Sequence, residues 1–410
     1  MVKKHLKDLF ANTLALNSFY LLLATGVTAI FGFFFWFISS KLYSTTNIGI
    51  ATTLISIMNT ISLLSIVGFD SAFVRFLPKS SNPNEKINTG FTIVTLVSVV
   101  LASVFLVFVE RISPSLSFIA ETPGNASLFI LFCVMTSLNI LSDSVFVSKR
   151  RAVFSLSINF IFSAFRLLLP FALIGMGALG IFASIGISQT IGIILSVIVM
   201  IWKFDYKPSI AINLPVLRMM HGYILSNYIA VIFNLLPAAI LPIMITNHLG
   251  PENAAFYYII MMIGNLMYAI PWATTRSLFA EGSHEGEKFF ELTMQASKII
   301  GIFLIPTILV LYFFGDTILS LFGKNYSNEG FAFLQLIALS GIVVSIYSTM
   351  TSYFRVKKDA RWLILINLSF AASILGASYL FLPYGLVGIG YAWIAGHIVA
   401  IVVGGVILLS

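Results

Sequence analysis

Charged residues are scarce in this chain: Asp, Glu, Lys and Arg make up only 9% of its 410 residues, whereas hydrophobic residues make up 59%. A soluble domain contains about 25% charged residues, because polar groups must cover its surface. This scarcity excludes a soluble protein. Apolar runs of about 20 residues or more, each long enough to cross a bilayer, recur along the whole chain. The sequence therefore predicts an all-α, polytopic membrane protein.

Residues for covalent chemistry are also few. The only cysteine, Cys133, lies inside an apolar run, so no intrachain disulfide can form. The sequence contains no Walker loop and no nucleophile triad. His284 lies beside Glu285 and Glu287, but no second cluster of ligands accompanies them, and we expect no metal site there. We predict that the protein is not an enzyme and needs no cofactor.

We predict about twelve transmembrane spans joined by short loops. Their approximate limits are 14–40, 47–74, 88–109, 126–147, 154–174, 178–202, 218–247, 254–278, 294–321, 331–354, 361–382 and 385–409. Nineteen of the 23 Lys and Arg residues lie on the side that is cytoplasmic if the N-terminus is cytoplasmic. By the positive-inside rule, this bias predicts a cytoplasmic N-terminus. The net charge of +8 therefore reflects topology, and we expect no nucleic-acid partner.

The chain also resembles itself at a separation of 208 residues. The segment FVSKRRAVFSLSIN at 146–159 recurs as FRVKKDARWLILIN at 354–367, and GALGI at 177–181 recurs as GLVGI at 385–389. We infer two six-helix lobes, 1–208 and 209–410, which are parallel in the membrane because six is an even number. Two such lobes around a central cavity are typical of alternating-access transporters, whose substrates bind between the repeats.

Three charged residues lie within the predicted spans: Asp70, Asp143 and Arg166. Their counterparts at an offset of 208 are all uncharged: Leu278, Thr351 and Ile374. We therefore expect the N-terminal lobe to provide most of the polar contacts to a substrate.

Arg166 is the most unusual of the three, because an Arg at the centre of a transmembrane helix costs about 2.5–3.5 kcal/mol. It lies 15 residues beyond Arg151, about 22 Å along a helix and out of reach of the inner surface. Pro170 lacks the N–H that would bond the Arg166 carbonyl, which indicates the wall of a hydrated cavity. Because Arg suits phosphate groups, we interpret Arg166 as the ligand of a diphosphate. The alternative is a structural ion pair with Asp70 or Asp143.

Asp70 and Asp143 lie near the cytoplasmic ends of their spans. They could carry a coupling proton or Na⁺, as acids in membrane pumps do. Alternatively, they form salt bridges with Arg75, Lys149 or Arg150 that close an inner gate, and this is the interpretation that the sequence favours.

Three prolines within spans are candidate hinges: Pro170, Pro237 and Pro242. Packing without motion is the alternative for Pro237 and Pro242. Other polar residues at membrane depth are expected mostly to form hydrogen bonds between helices, and some to meet sugar hydroxyls. They are Asn59, Asn139, Asn159, Gln189, Asn234, Asn265, Gln335, Asn367 and His397.

Two segments resemble a known family. KLYSTTNIGIATTLISIMNTISLLSIVGFDSAFVRFLPK at 41–79 and LGPENAAFYYIIMMIGNLMYAIPWATTRSLFAEGS at 249–283 are similar to polysaccharide-biosynthesis flippases of the MOP (multidrug/oligosaccharidyl-lipid/polysaccharide) superfamily. The resemblance implies a protein of the cytoplasmic membrane that moves a polyprenyl-diphosphate-linked oligosaccharide to the outer leaflet. It also implies a cationic cavity, for which Arg166 is the candidate.

The resemblance leaves a second function open, a cation-coupled multidrug exporter of the same superfamily, in which acidic residues would dominate the cavity. Membrane lipid is an expected partner, and glycan polymerases or transferases are candidate partners. A monomer is expected, because one cavity between two lobes needs only one chain.

Overall fold

A computed structural model of the chain describes residues 13–284, 289–357 and 359–409. Within these ranges the chain forms twelve α-helices of at least 21 residues and no β-strand. We number them α1 Thr13–Leu42, α2 Thr45–Ser65, α3 Pro83–Ile112, α4 Pro123–Ser148, α5 Ala152–Ala172, α6 Ala178–Phe204, α7 Leu214–Leu249, α8 Pro251–His284, α9 Phe289–Ser320, α10 Lys324–Val356, α11 Ala360–Phe381 and α12 Gly385–Leu409. The predicted all-α membrane fold is confirmed.

The long helices follow from the apolar runs, because a backbone in hydrocarbon must satisfy its own N–H and C=O groups. Among the described residues, ten stretches are long and apolar enough to cross a membrane, and the last of them, Arg361–Leu409, contains both α11 and α12. In α7, the described apolar part is Leu235–Leu249. The chain is a multi-pass membrane protein.

The second predicted span is shorter than expected. The sequence predicts one helix over 47–74, but α2 ends at Ser65, and Val67 and Gly68 adopt positive φ angles of 52° and 83°. Glycine permits this left-handed conformation, which ends the helix. A separate short helix, Phe69–Phe76, then begins. The prediction that Asp70 belongs to the second long helix was therefore wrong: Asp70 lies in the first turn of the short helix, where the helix dipole favours a carboxylate.

The chain folds into two compact units. Unit 1 consists of residues 1–47 and 54–229, and unit 2 of residues 48–53 and 230–410. In unit 1, we call the helix ends near Arg75, Lys86 and Arg151 the basic end, and the other helix ends the far end. The lobe limits at 208 and 209 stay a prediction.

Local packing repeats at the offset of 208 residues. Helix α5 begins at Ala152 and α11 at Ala360, which are 208 residues apart. A Cβ atom on Gly180 would lie 2.2 Å from the carbonyl oxygen of Leu173, and a Cβ on Gly388 would lie 2.0 Å from that of Phe381. Both pairs are related by the same offset. In each half, the first turn of the last helix thus packs closely on the end of the helix before it.

Candidate functional site

One face of α5 carries the polar residues of the candidate site. Ser155, Asn159, Phe162, Arg166 and Pro170 are spaced three or four residues apart, so they lie on one side of the helix. This face is more buried than the rest of α5: Ser155, Phe162 and Pro170 are buried, whereas Phe160 and Phe165 are exposed. Helix α5 packs chiefly on α1 and α6.

A polar cavity lies between α1, α4 and α5 within unit 1. Its volume is about 440 Å³, which is large enough for several water molecules. The lining residues are Leu21, Ala24, Thr25, Thr28, Ala29, Asp143, Ser155 and Asn159. The structure therefore brings Asp143 to a cavity wall beside Ser155.

The cavity is rich in hydrogen-bond acceptors. The Thr25 hydroxyl donates to the Leu21 carbonyl at 2.9 Å, and the Thr28 hydroxyl donates to the Ala24 carbonyl at 2.9 Å. Both hydroxyl hydrogens are thus used, and each Thr oxygen keeps a lone pair for a ligand. With the carboxylate of Asp143 and the amide of Asn159, this arrangement suits a cation or the hydroxyl donors of a sugar.

Arg166 lies on the same face of α5, but farther toward the far end. It is seven residues beyond Asn159, about 10 Å along the helix. The central carbon of its guanidinium lies 5.5 Å from the centre of the Phe162 ring, at cation–π distance. The side chain is half-buried. Such a planar cation with five N–H donors suits a phosphate ligand.

The alternative interpretation, an ion pair between Arg166 and Asp143, stays a prediction, because the two residues are placed at different levels along α5. Asp143 lies beside Ser155, which is eleven residues from Arg166 and about 16 Å away along α5. Asp70 lies outside the span, on the short helix Phe69–Phe76 at the basic end. Unit 1 therefore presents an acidic cavity and a cationic position at two different depths.

Helices α1 and α5 are joined by hydrogen bonds at both ends. At the basic end, the Ala152 backbone N–H donates to the Asn17 side-chain oxygen at 3.0 Å. At the far end, the hydroxyl of Tyr43 donates to the Pro170 carbonyl at 2.8 Å. Helix α5 continues through Pro170 to Ala172. These bonds fix the two helices that border the cavity.

The other predicted gate and hinge residues are not among the described residues that line this cavity. The Arg75 guanidinium lies 5.4 Å from the centre of the Phe76 ring, in the last turn of the short helix. Pro237 and Pro242 are buried inside α7, which is continuous through both of them. The Pro242 carbonyl accepts a hydrogen bond from the Thr246 hydroxyl at 2.8 Å. Their roles as gate and hinges stay predictions.

Unit 2 has aromatic side chains at the positions that correspond to the Asn139–Gln189 pair of unit 1. In unit 1 the Asn139 amide donates to Gln189 at 2.5 Å. The residues 208 positions later, Tyr347 and His397, also contact each other, with ring centres 5.4 Å apart. Phe370 and Trp393 pack on His397 as well, with ring centres 4.6 and 5.3 Å from it.

The counterpart of Arg166 is also apolar and enclosed. Ile374 is fully buried, and a Cβ atom on Gly396 would lie 2.8 Å from its Cβ. The sequence-based expectation that charge is concentrated in the first half is therefore matched by packing, because unit 2 has an enclosed isoleucine at the position where unit 1 has Arg166.

Sequence reasoning missed part of the cavity wall. Thr25, Thr28 and Ser155 were not singled out, although Asn159 was among the polar residues at membrane depth. The available signal was the spacing of Thr25 and Thr28, which places both on one face of α1. Glu285 and Glu287, beside His284, lie outside the described residues.

The family of the chain can be identified from a direct comparison. A family model described as "Polysaccharide biosynthesis protein" matches residues 38–329, which is most of the chain. The chain belongs to this family. A search of curated proteins finds no match.

Solved structures identify the fold. The chain is similar to an inward-facing MATE family multidrug resistance transporter of the MOP superfamily, with a TM-score of 0.72, 14% identity, and 94% and 96% of the two chains covered. It is also similar to the lipid II flippase MurJ in an inward closed conformation, with a TM-score of 0.73, 15% identity and coverage of 95% and 88%. A MOP superfamily transporter from Pyrococcus furiosus, whose binding pocket is described as having reverse polarity, matches with a TM-score of 0.60, 15% identity and coverage of 95% and 93%.

The chain is thus a multi-pass membrane protein of the polysaccharide biosynthesis family, and its fold is similar to that of these solved transporters. These likenesses in structure are at 14–15% identity and concern the fold alone.

Proposed function

We propose that this protein is a flippase for a polyprenyl-diphosphate-linked oligosaccharide in the cytoplasmic membrane, with its N-terminus in the cytoplasm. In this proposal the headgroup moves from the cytoplasmic to the outer leaflet by alternating access, while the polyprenyl tail stays in lipid. The observation that supports it best is the half-buried guanidinium of Arg166 on the polar face of α5, since the other arginines among the described residues are exposed. The polysaccharide biosynthesis family supports the same substrate class.

The two polar features of unit 1 match the two parts of such a headgroup. A diphosphate is an anion, and a guanidinium can donate two parallel hydrogen bonds to two oxygens of one of its phosphates. Sugar hydroxyls donate hydrogen bonds, which the Thr25 and Thr28 oxygens and the Asp143 carboxylate can accept. Moving these groups through hydrocarbon unaided would cost several kcal/mol for each unpaired polar group. A hydrated polar cavity lowers that barrier without covalent chemistry.

The direct test is a flipping assay in liposomes. The purified protein is reconstituted with a fluorescent polyprenyl-diphosphate oligosaccharide, and a membrane-impermeant reagent reports the fraction of lipid in the inner leaflet. We expect the protected pool to disappear in liposomes with protein and to persist in matched liposomes without it. Persistence of that pool with several different glycans would contradict the proposal.

One observation supports a second candidate function, the cation-coupled multidrug exporter. The cavity at Asp143 is rich in acceptors and contains no basic residue among its lining side chains, and MATE transporters share the fold. If this function is correct, the same liposomes should export a cationic dye under a proton or sodium gradient. The glycan lipid should then stay in its original leaflet, so the two assays separate the candidates.

A further inference from the structure

The segment that joins α6 to α7 is bound tightly to α3 in unit 1. We call residues 205–213 the linker strap. Asn88 of α3 is its main anchor: the Asn88 amide donates to the Lys207 carbonyl at 3.0 Å and to the Ser209 hydroxyl at 2.8 Å. The Asn88 side-chain oxygen accepts from the Tyr206 hydroxyl at 2.6 Å. Burial raises the pKa of Tyr206 to about 12, so this hydroxyl remains a donor at neutral pH.

The strap runs up α3 and then turns back. Asp205 bonds to Asn84, in the first turn of α3, through its carbonyl at 3.3 Å. Farther on, the Ala211 N–H donates to the Thr92 hydroxyl at 3.3 Å, two helical turns above Asn84. Asn213 then returns toward the helix start, and its amide donates to Glu85 at 3.1 Å. The tip of the strap, residues 210–212, is therefore held at the level of Thr92.

That level coincides with the expected edge of the hydrocarbon core. Charged residues bound the apolar part of α3, with Glu85 and Lys86 at one end and Glu110 and Arg111 at the other. About 20 residues cross the core, so a core that begins just inside Glu110 ends near residue 90. Thr92 and the strap tip thus lie at the boundary between headgroups and acyl chains.

The tip presents apolar side chains away from α3. Ile210 is 96% exposed and Ile212 is 47% exposed. On α3 itself, the face that carries Asn88 and Thr92 continues at four-residue spacing into Leu96, Val100 and Val104. These three are also exposed. The tip therefore continues an apolar surface that faces lipid, at the point where that surface meets the headgroups.

We propose that the linker strap is a membrane anchor, whose tip inserts Ile210 and Ile212 among the acyl chains of the leaflet at the basic end. The exposed Lys203 and Lys207 flank the tip and suit the phosphates of lipid headgroups. The strap ends at Asn213, whose side-chain oxygen accepts from the Val216 N–H at 3.1 Å at the start of α7. The linker is thereby fixed to unit 1 up to the first turn of α7. This proposal does not depend on the substrate that is transported.

Site-specific fluorescence tests the anchor. The single native cysteine is buried and can be replaced, giving a Cys133→Ala background for labelling. An environment-sensitive fluorophore is then attached at Ile210→Cys or Ile212→Cys, and the full chain is reconstituted in phospholipid vesicles. Lys207→Cys serves as the control at the level of the headgroups, where aqueous iodide reaches it, and Leu96→Cys as the control in lipid.

We expect the probes at 210 and 212 to give blue-shifted emission and to be quenched by a lipid that carries a nitroxide near its headgroup. The probe at 207 should instead be quenched by iodide in the aqueous phase. Adding Asn88→Ala should shift the probe at 210 toward water, because the strap loses its main anchor. Iodide quenching at 210 and 212 equal to that at 207 would overturn the proposal, and an unchanged signal with Asn88→Ala would overturn the role of the anchor.

Discussion

At the scale of single residues, the main finding is the separation of an acid from a cation on one helix face. Asp143 lines a cavity together with Ser155 and Asn159, whereas Arg166 lies seven residues beyond Asn159, about 10 Å along α5. The acid and the cation therefore lie at two levels of the helix, and each suits a different part of a ligand. Because Asp143 lines a cavity, we now favour ion coupling for it over the alternative role, a salt bridge that closes an inner gate.

A charge-neutral variant of Asp143 tests ion coupling. If Asp143 holds the coupling cation, a proton or sodium gradient should accelerate transport by the natural protein but should have no effect on Asp143→Asn, which keeps the side-chain shape. The rate of glycan-lipid flipping with and without a gradient measures this. Asp70→Asn is the matched control, because Asp70 lies on the short helix at the basic end. Gradient stimulation that persists in Asp143→Asn would exclude this role.

The sequence indicates the charged residues of the site directly, because each intramembrane charge is costly and therefore conspicuous. It does not indicate Thr25 and Thr28 in the same way. A Thr in a transmembrane helix usually bonds its own backbone, as both do here. Only the packing of α1 against α5 shows that their oxygens face a cavity.

At the scale of helices, the apolar runs predict all twelve long helices, and most predicted limits lie within a few residues of those observed. The end of α2 was missed because the apolar run continues through Ile66 and Val67, and hydropathy does not detect a change of backbone conformation. The positive φ angles at Val67 and Gly68 end the helix. The linker strap was likewise invisible in the sequence, since its order comes from side chains of α3 that lie about 120 residues earlier.

The close approach of Gly180 and Gly388 to backbone carbonyl oxygens predicts that a larger residue at either position lowers the stability of the fold. We expect Gly180→Ala and Gly388→Ala each to lower the free energy of unfolding by about 1–3 kcal/mol, because the new Cβ would overlap a backbone carbonyl oxygen. Thermal unfolding in detergent measures the change. Gly175→Ala and Gly376→Ala are matched controls, since a Cβ at either position meets no atom within 4 Å. Equal unfolding temperatures for the Gly180 and Gly175 variants would contradict this prediction, because the new Cβ at position 180 would then cost no stability.

At the scale of the whole molecule, the two halves share packing but differ in chemistry. The close glycine turn and the contact between positions 139 and 189 recur 208 residues later. The charges do not recur: Ile374 replaces Arg166 in an enclosed position, and aromatic rings surround His397. The repeat and this asymmetry could both be predicted from the sequence. The aromatic filling of unit 2 could not, because it depends on contacts among three separate helices.

The proposed binding of the lipid diphosphate by Arg166 can be tested with Arg166 variants in the flipping assay. Loss of a hydrogen-bonded charge contact costs about 1.5–3 kcal/mol, so Arg166→Gln should slow flipping on the order of tenfold to a hundredfold. Arg166→Lys keeps the charge and should retain part of the rate. Phe165→Leu, on the exposed face of α5, should flip at the natural rate. Normal flipping by a stably folded Arg166→Gln protein would contradict the account.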